Sequence, residues 1–311
     1  MQNWRWIFAW RAVVRSNLIL GATGAVGRFL LPQLLARSER VIAISRDPQT
    51  DGAEAIEWLR GDLFGAMPAL PAVDIVCSLG PLDAFADWLP RALAANARAA
   101  PKRILALSSM SAESKQASVD AAERELAARL AAAEQRLFAC AREHEIACTI
   151  FRPTLIYGAG RDASLAPLAR FARRWRVLPI PQGASGLRQP VHAADLAAAC
   201  LAAREVSATF GNTYAVGGGE RLRFDAMFAR VARAARAVRM PIPLALVRAG
   251  AHLARGRVGA GALARMKVDL IADNAPASRD FGYAPRGFVA ADVAGPGNAD
   301  APERAPEKPL A

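Results

Sequence analysis

Short apolar runs alternate with helical periodicity through the first half of the chain. The runs lie at residues 17–20, 41–46, 56–60, 73–78, 103–107 and 147–151, and they read as strands. Between them the period changes to 3.6. Val26, Leu30 and Leu34 recur at i, i+4 and i+8, with Leu31 and Leu35 beside them. Residues 84–99 form an alanine-rich helix, and Leu126, Leu130, Ala133, Leu137 and Cys140 mark the buried stripe of a long helix over residues 121–143. This alternation implies an α/β fold: a Rossmann-type, doubly wound parallel sheet covered by helices on both faces, with ligands at the carboxyl ends of its strands.

The first strand stops at Gly21-Ala22-Thr23-Gly24-Ala25-Val26-Gly27, and the first helix starts there. Strand, glycine turn and helix form the context of a dinucleotide fingerprint. Gly21 permits the tight turn, Gly24 lets backbone approach a pyrophosphate, and Gly27 lets helix and strand pack closely. Thr23, Ala25 and Val26 line the turn, and the helix amides offer partial positive charge to phosphates. The second strand ends in Ser45-Arg46, where an acid would suit the ribose of NAD and an arginine suits a 2′-phosphate. NADP(H) is therefore the expected cofactor, with NAD(H) as the alternative. Ser78, Leu79 and Gly80 end the fourth strand and leave room for a ribose, and Ser108 and Ser109 end the fifth.

After residue 160 the pattern loosens, with Pro167, Pro179 and Pro181. Residues 189–217 return to the core through a helix from Asp195 to Ala203 and a strand over 212–216. Helices are expected over 224–238, 244–254 and 260–271. The organisation is then an N-terminal extension (1–16), a dinucleotide-binding core (17–160, rejoined by 189–217), a small, mostly helical substrate lobe (161–188 and 218–295) and a disordered, proline-rich tail (296–311). Residues 1–16 hold Trp4, Trp6, Phe8 and Trp10 with three arginines and no acid. An extension without a role in the fold is favoured over a membrane-surface segment.

The net charge of +12 changes the picture little. Of the 40 basic residues only Lys102, Lys115, Lys267 and Lys308 are lysine, a bias that a GC-rich coding sequence produces. No recognition helix or aromatic–basic strand platform is evident, so nucleic acid is not an expected partner. Arg161, Arg170, Arg173, Arg174, Arg176 and Arg188 surround Trp175, and they would suit an anionic or nucleotide-linked small molecule or form a solvated face. Cys77, Cys140, Cys148 and Cys200 sit in apolar segments, consistent with a reducing, cytoplasmic setting, and three histidines without ligand spacing give no metal site. A homodimer is left open.

The glycine turn, the stretch Phe151-Arg152-Pro153-Thr154-Leu155-Ile156-Tyr157-Gly158-Ala159-Gly160 and the stretch Arg188-Gln189-Pro190-Val191-His192-Ala193-Ala194-Asp195-Leu196 together resemble the extended and atypical short-chain dehydrogenase/reductases, which include nucleotide-sugar epimerases and dehydratases. The resemblance covers residues 17–220 and fades toward 290. It implies that Asp62 and Leu63 lie against adenine, that Pro153 borders the nicotinamide, and that His192 is a structural motif residue. It also implies an oxidoreductase or epimerase/dehydratase activity driven by a Tyr-x-x-x-Lys pair. That pair is missing: four residues beyond Tyr157, Tyr214 and Tyr283 stand Arg161, Gly218 and Gly287, and Leu126 and Leu130 align with it. Chemistry would rest on Ser109, Ser111, Lys115 or Tyr157, and a non-catalytic dinucleotide-binding protein is the competing reading.

Overall fold

A computed structural model describes residues 15–48, 55–158, 160, 162, 164–243, 246 and 265–294. Seven apolar runs pair in parallel. They are β1 (Ser16–Leu20), β2 (Arg40–Ser45), β3 (Ile56–Arg60), β4 (Ile75–Ser78), β5 (Arg103–Leu107), β6 (Ala147–Pro153) and, late in the chain, Asn212–Val216. The sheet order is Asn212–Val216, β6, β5, β4, β1, β2, β3. Because every pair is parallel, all seven carboxyl ends share one edge.

Alternate strand residues face opposite layers. Leu18, Leu20, Ile42, Ile44, Val76 and Ile104 pack under α2 (Leu82–Ala95) and the long α4 (Ala121–Glu143). Ile19, Val41, Ala43, Cys77 and Leu105 pack under α1 (Gly27–Leu35) and a helix over Ala193–Ala203. Burial on both faces explains why the inner strands β1, β4 and β5 are mostly apolar instead of alternating. Between β5 and α4 lies a four-residue helix, α3 (Ser111–Ser114), where a loop is expected from the sequence.

The second body follows β7 (Ile156–Tyr157). It contains α5 (Ala166–Trp175), β8 (Val177–Gln182), β9 (Leu187–Arg188), β10 (Val191–His192), α6 (Ala193–Ala203), β11 (Asn212–Val216), β12 (Leu222–Arg223), α7 (Phe224–Ala234) and β13 (Val238–Pro243), of which α6 and β11 return to the main sheet. α5, α7 and the parallel β8–β13 ribbon enclose a separate core of Leu165, Ala169, Leu178, Met227, Phe228 and Val231.

Three expectations change. The described lobe has more helix than strand, but it also holds a ribbon that the sequence did not announce, in which proline-containing β8 pairs with β13. The helix expected over 260–271 has left helical geometry after Arg265, and Leu270 instead bridges Arg188 in parallel. A final helix, α8 (Ala275–Phe281), packs with Tyr283 on the main sheet, not on the lobe. Most of residues 1–16, nearly all of the helix expected over 244–254, Arg161 and the tail over 296–311 lie outside the described residues. No described helix is long and apolar enough to cross a membrane.

Beneath the sheet, at its amino edge, polar residues are fixed by dense hydrogen bonding. The Arg103 guanidinium is buried and donates to Thr149 Oγ1 (2.7 Å), Thr209 Oγ1 (2.8 Å) and the carbonyls of Ala147, Ala203 and Arg204. Beside it, Arg204 forms a bidentate pair with Glu39, at 2.8 and 2.9 Å. Burial opposes the Glu39 charge, but hydrogen bonds from Arg204 and Asn17 outweigh it and hold the carboxyl below its ordinary range.

Candidate functional site

Each glycine of the first turn is constrained differently. Gly21 has φ +77°, a left-handed backbone that the turn needs. A Cβ on Gly27 would lie 2.2 Å from the Ala22 carbonyl oxygen, so helix and strand close only on a glycine. A Cβ on Gly24 would touch only the Gly21 carbonyl and otherwise enter open space. α1 begins beside that space with no acid in its first turn and no side-chain cap, which leaves its amide end suited to a phosphate.

Along the same edge lie the remaining positions. Ser45 exchanges hydrogen bonds with Asp47, and exposed Arg46 follows it. Asp62 caps its own turn by accepting from the Phe64 amide, with Leu63 beside it. Ser78 is buried, and its Oγ has no hydrogen-bond partner among the described residues. A buried orphan hydroxyl is costly, and a ribose or phosphate oxygen above Leu79 and Gly80 would satisfy it. The edge therefore fits a dinucleotide on its own geometry.

Ser108 is drawn elsewhere. Its hydroxyl donates to Glu134 Oε1 at 2.5 Å, and the same carboxylate takes Nε and Nη2 of Arg152. Glu134 is buried on α4, one turn beyond Leu130. The sequence pattern missed this network, since an isolated glutamate on an amphipathic helix reads as solvated. Its visible signal is the spacing of Leu126, Leu130 and Glu134 at i, i+4 and i+8, one stripe of α4.

Between the sheet edge and the lobe opens a cavity of about 640 Å³. Ala25, Ser109, Ser111, Lys115 and Pro153 line one wall, and Leu165, Leu168, Phe224, Phe228, Arg265 and Leu270 line the other. Ser109 accepts from the Ser111 amide at 3.1 Å, at the start of α3. Lys115 faces Glu123 at 4.0 Å, and burial, reinforced by Arg265, holds its ammonium below its ordinary pKa. The lobe wall comes from residues more than a hundred positions beyond the glycine turn, and no local pattern announces it.

The structure brings Ser109, Ser111 and Lys115 together and leaves Tyr157 out. The Tyr157 ring is fully buried; its hydroxyl donates to Gly287 O and accepts from the Val289 amide. Burial raises its pKa. This tyrosine fastens the C-terminal segment and does not face the cavity. His192 also has a structural setting: Nδ1 accepts from the Ala194 amide to cap α6, and burial lowers its pKa. Of the described arginines grouped around Trp175, Arg188 lines the cavity and the others do not. Arg170, Arg173, Arg174 and Arg176 are exposed on α5 and its end, while Arg188 is buried and donates to the carbonyls of Leu187, Val268 and Arg265.

Comparison with known proteins agrees with this geometry. Residues 21–166 match the family model described as NAD(P)H-binding. The fold is shared with UDP-N-acetylglucosamine 4-epimerase from Bacillus cereus (16% identity, TM-score 0.65) and with UDP-glucuronic acid 4-epimerase from the same organism, solved with UDP-glucuronic acid and NAD (14%, 0.68). Each alignment covers 90% of this chain and 96% of the other. A short-chain dehydrogenase/reductase superfamily protein from Agrobacterium tumefaciens with bound NAD aligns at 16% identity and TM-score 0.64, over 90% of this chain and 94% of the other. The class is thus an NAD(P)H-binding Rossmann protein. The stretches that resemble the extended and atypical short-chain dehydrogenase/reductases lie within this fold, and the likeness to the solved protein of that superfamily is one of fold. A curated relative is the mitochondrial NADH dehydrogenase (ubiquinone) 1 alpha subcomplex subunit 9 of Arabidopsis thaliana, 27% identical over 256 residues and 73% of this chain. The chain spans 60% of that relative's length.

Proposed function

We propose that this protein holds a nicotinamide dinucleotide, NADP(H) in preference to NAD(H), as a resident ligand of an assembly or scaffold protein. The observation that carries this reading is the fate of its three tyrosines. Tyr157 is tied to Gly287 and Val289, Tyr214 donates to Asp280 at 2.7 Å and to Ala208, and Tyr283 donates to Gly217 at 2.9 Å. Burial raises the pKa of each, that of Tyr214 to about 12 with help from Asp280. None lines the cavity, so no phenol is placed to exchange a proton with a substrate there. A bound nicotinamide would supply hydride, and the family's usual phenol to complete a carbonyl reduction does not stand beside it. Similarity to a named subunit of NADH dehydrogenase supports an assembly role.

A second reading rests on Lys115. It lines the cavity with Ser109 and Ser111 and carries a lowered pKa, which suits a proton donor to a small-molecule substrate in a reductase or epimerase/dehydratase reaction. The deciding experiment is mass spectrometry of nucleotide released from purified protein, followed by turnover assays with carbonyl compounds and nucleotide sugars. Retained nucleotide without turnover supports the scaffold reading. Robust turnover that vanishes in Lys115→Ala replaces it with the second.

A further inference from the structure

The surplus positive charge is not spread over the molecule. Residues 163–194 hold five arginines, and residues 226–268 hold eight arginines and Lys267, with no Asp or Glu in either stretch. The net charge of the whole chain is +12, so everything outside these stretches is close to neutral. A coding bias acting on every codon does not concentrate charge in this way. The fold then brings described parts of the two stretches together: β8 pairs with β13 in parallel, and the Val238 amide donates to Arg176 O at 2.8 Å, directly after α5.

α5 buries Ala166, Ala169 and Ala172 against the lobe, sets half-buried Leu168 on the cavity wall and turns its remaining positions outward. On that outward surface Phe171 and Trp175 stand one turn apart, 42% and 63% exposed, with ring centroids 6.4 Å from each other. Val238 and Met240 on the edge strand β13 are 71% and 44% exposed. Arg170, Arg173, Arg174, Arg176, Arg236 and Arg239 are all exposed on the same elements, and the Arg174 guanidinium lies 5.6 Å from the Trp175 ring. Two acids elsewhere in the lobe, Glu220 and Asp225, are held by Arg230 and Arg223.

We infer that this α5–β13 face docks on an anionic phospholipid surface. Large apolar side chains and an unbroken set of arginines without acids ask for two things at once, an apolar layer and a negatively charged rim. A bilayer interface offers both: Trp and Phe settle at headgroup depth, and arginines reach the phosphates while their stems cover apolar area. In the parallel two-stranded ribbon, Val238 and Met240 alternate onto one face of β13, and Val238 pairs with Val177, two residues beyond Trp175. This docking does not depend on whether the dinucleotide turns over.

The test is co-sedimentation of the full-length protein with vesicles of phosphatidylcholine alone or mixed with phosphatidylglycerol. Binding is expected only to the mixed vesicles and is expected to weaken with added salt. Phe171→Ser/Trp175→Ser, with an unchanged thermal melt, is expected to lower the partition coefficient about tenfold or more. Arg173→Gln/Arg174→Gln gives an independent loss should the aromatic variant fold poorly. Equal binding to pure phosphatidylcholine, parental binding by both variants, or absence of parental binding overturns the inference. So does binding of single-stranded nucleic acid without binding of vesicles.

Discussion

At Gly24 a side chain would extend from the turn into the open space beside the amide end of α1, whereas at Gly27 it would meet the Ala22 carbonyl. The two positions therefore fail differently. Gly24→Val is expected to fold normally and to show no binding in a cofactor fluorescence titration, because the branched side chain takes the space a pyrophosphate needs. Gly27→Ala is expected to lose about 1–3 kcal/mol of stability, read by urea denaturation, because helix and strand must separate to admit the methyl group. Under the proposed reading, Arg46 sets the choice of cofactor. A charge-assisted contact to a 2′-phosphate is worth about 1.5–3 kcal/mol, so the parent is expected to bind NADPH at least about tenfold more tightly than NADH. Arg46→Ala should erase most of that ratio, and equal dissociation constants in the parent would refute the assignment.

Among the elements, the Glu39–Arg204 pair joins the turn before β2 to the end of α6. Removing one partner strands a buried charge, so Arg204→Met is expected to cost about 3–5 kcal/mol at neutral pH. The folded Glu39 carboxyl titrates below its unfolded value. Its contribution is therefore complete above the unfolded pKa and is lost as pH falls through the folded one. Denaturant melts should show the gap between parent and Arg204→Met narrowing in acid. A gap independent of pH would mean that packing, not charge, holds these elements. The same pair shows what a sequence does and does not display. Strand runs such as residues 103–107 and the stripe of α4 are local patterns, so their elements stand where periodicity puts them. The partners of Glu39, Arg103 and Glu134 are set by tertiary approach across 165, about 100 and 18 positions, and a single charged letter carries no sign of them. The β8–β13 ribbon hides for another reason: its prolines read as loop, yet both strands are edges, where a missing amide is tolerated.

For the molecule as a whole, the lobe is fastened back onto the dinucleotide unit. Asp195 of α6 accepts from the amide and Nε of Arg286, Glu220 accepts from the Phe288 amide, and Tyr157 accepts from the Val289 amide. One continuous segment thus touches both bodies, and the cavity lies between them. Ligand binding should accordingly be felt by the global melt. NADPH at about a hundred times its dissociation constant is expected to add about 2.7 kcal/mol to the stability of the parent and nothing to Gly24→Val. A shift of equal size in Gly24→Val would place the nucleotide somewhere other than the glycine turn.

Arg103 also constrains the order in which the chain can mature as it leaves the ribosome. Its guanidinium reaches β5 early in synthesis, but Ala203, Arg204 and Thr209, which receive its hydrogen bonds, are made about a hundred residues later. Until then the cation must stay hydrated, because burying it without those oxygens would cost several kcal/mol. The inner strands β4, β5 and β6 therefore cannot settle as a finished sheet in a nascent chain, even though all of their own residues are present. Stalled chains released just before and just after residue 209 should differ sharply in protease resistance, with the longer one alone protected across β5.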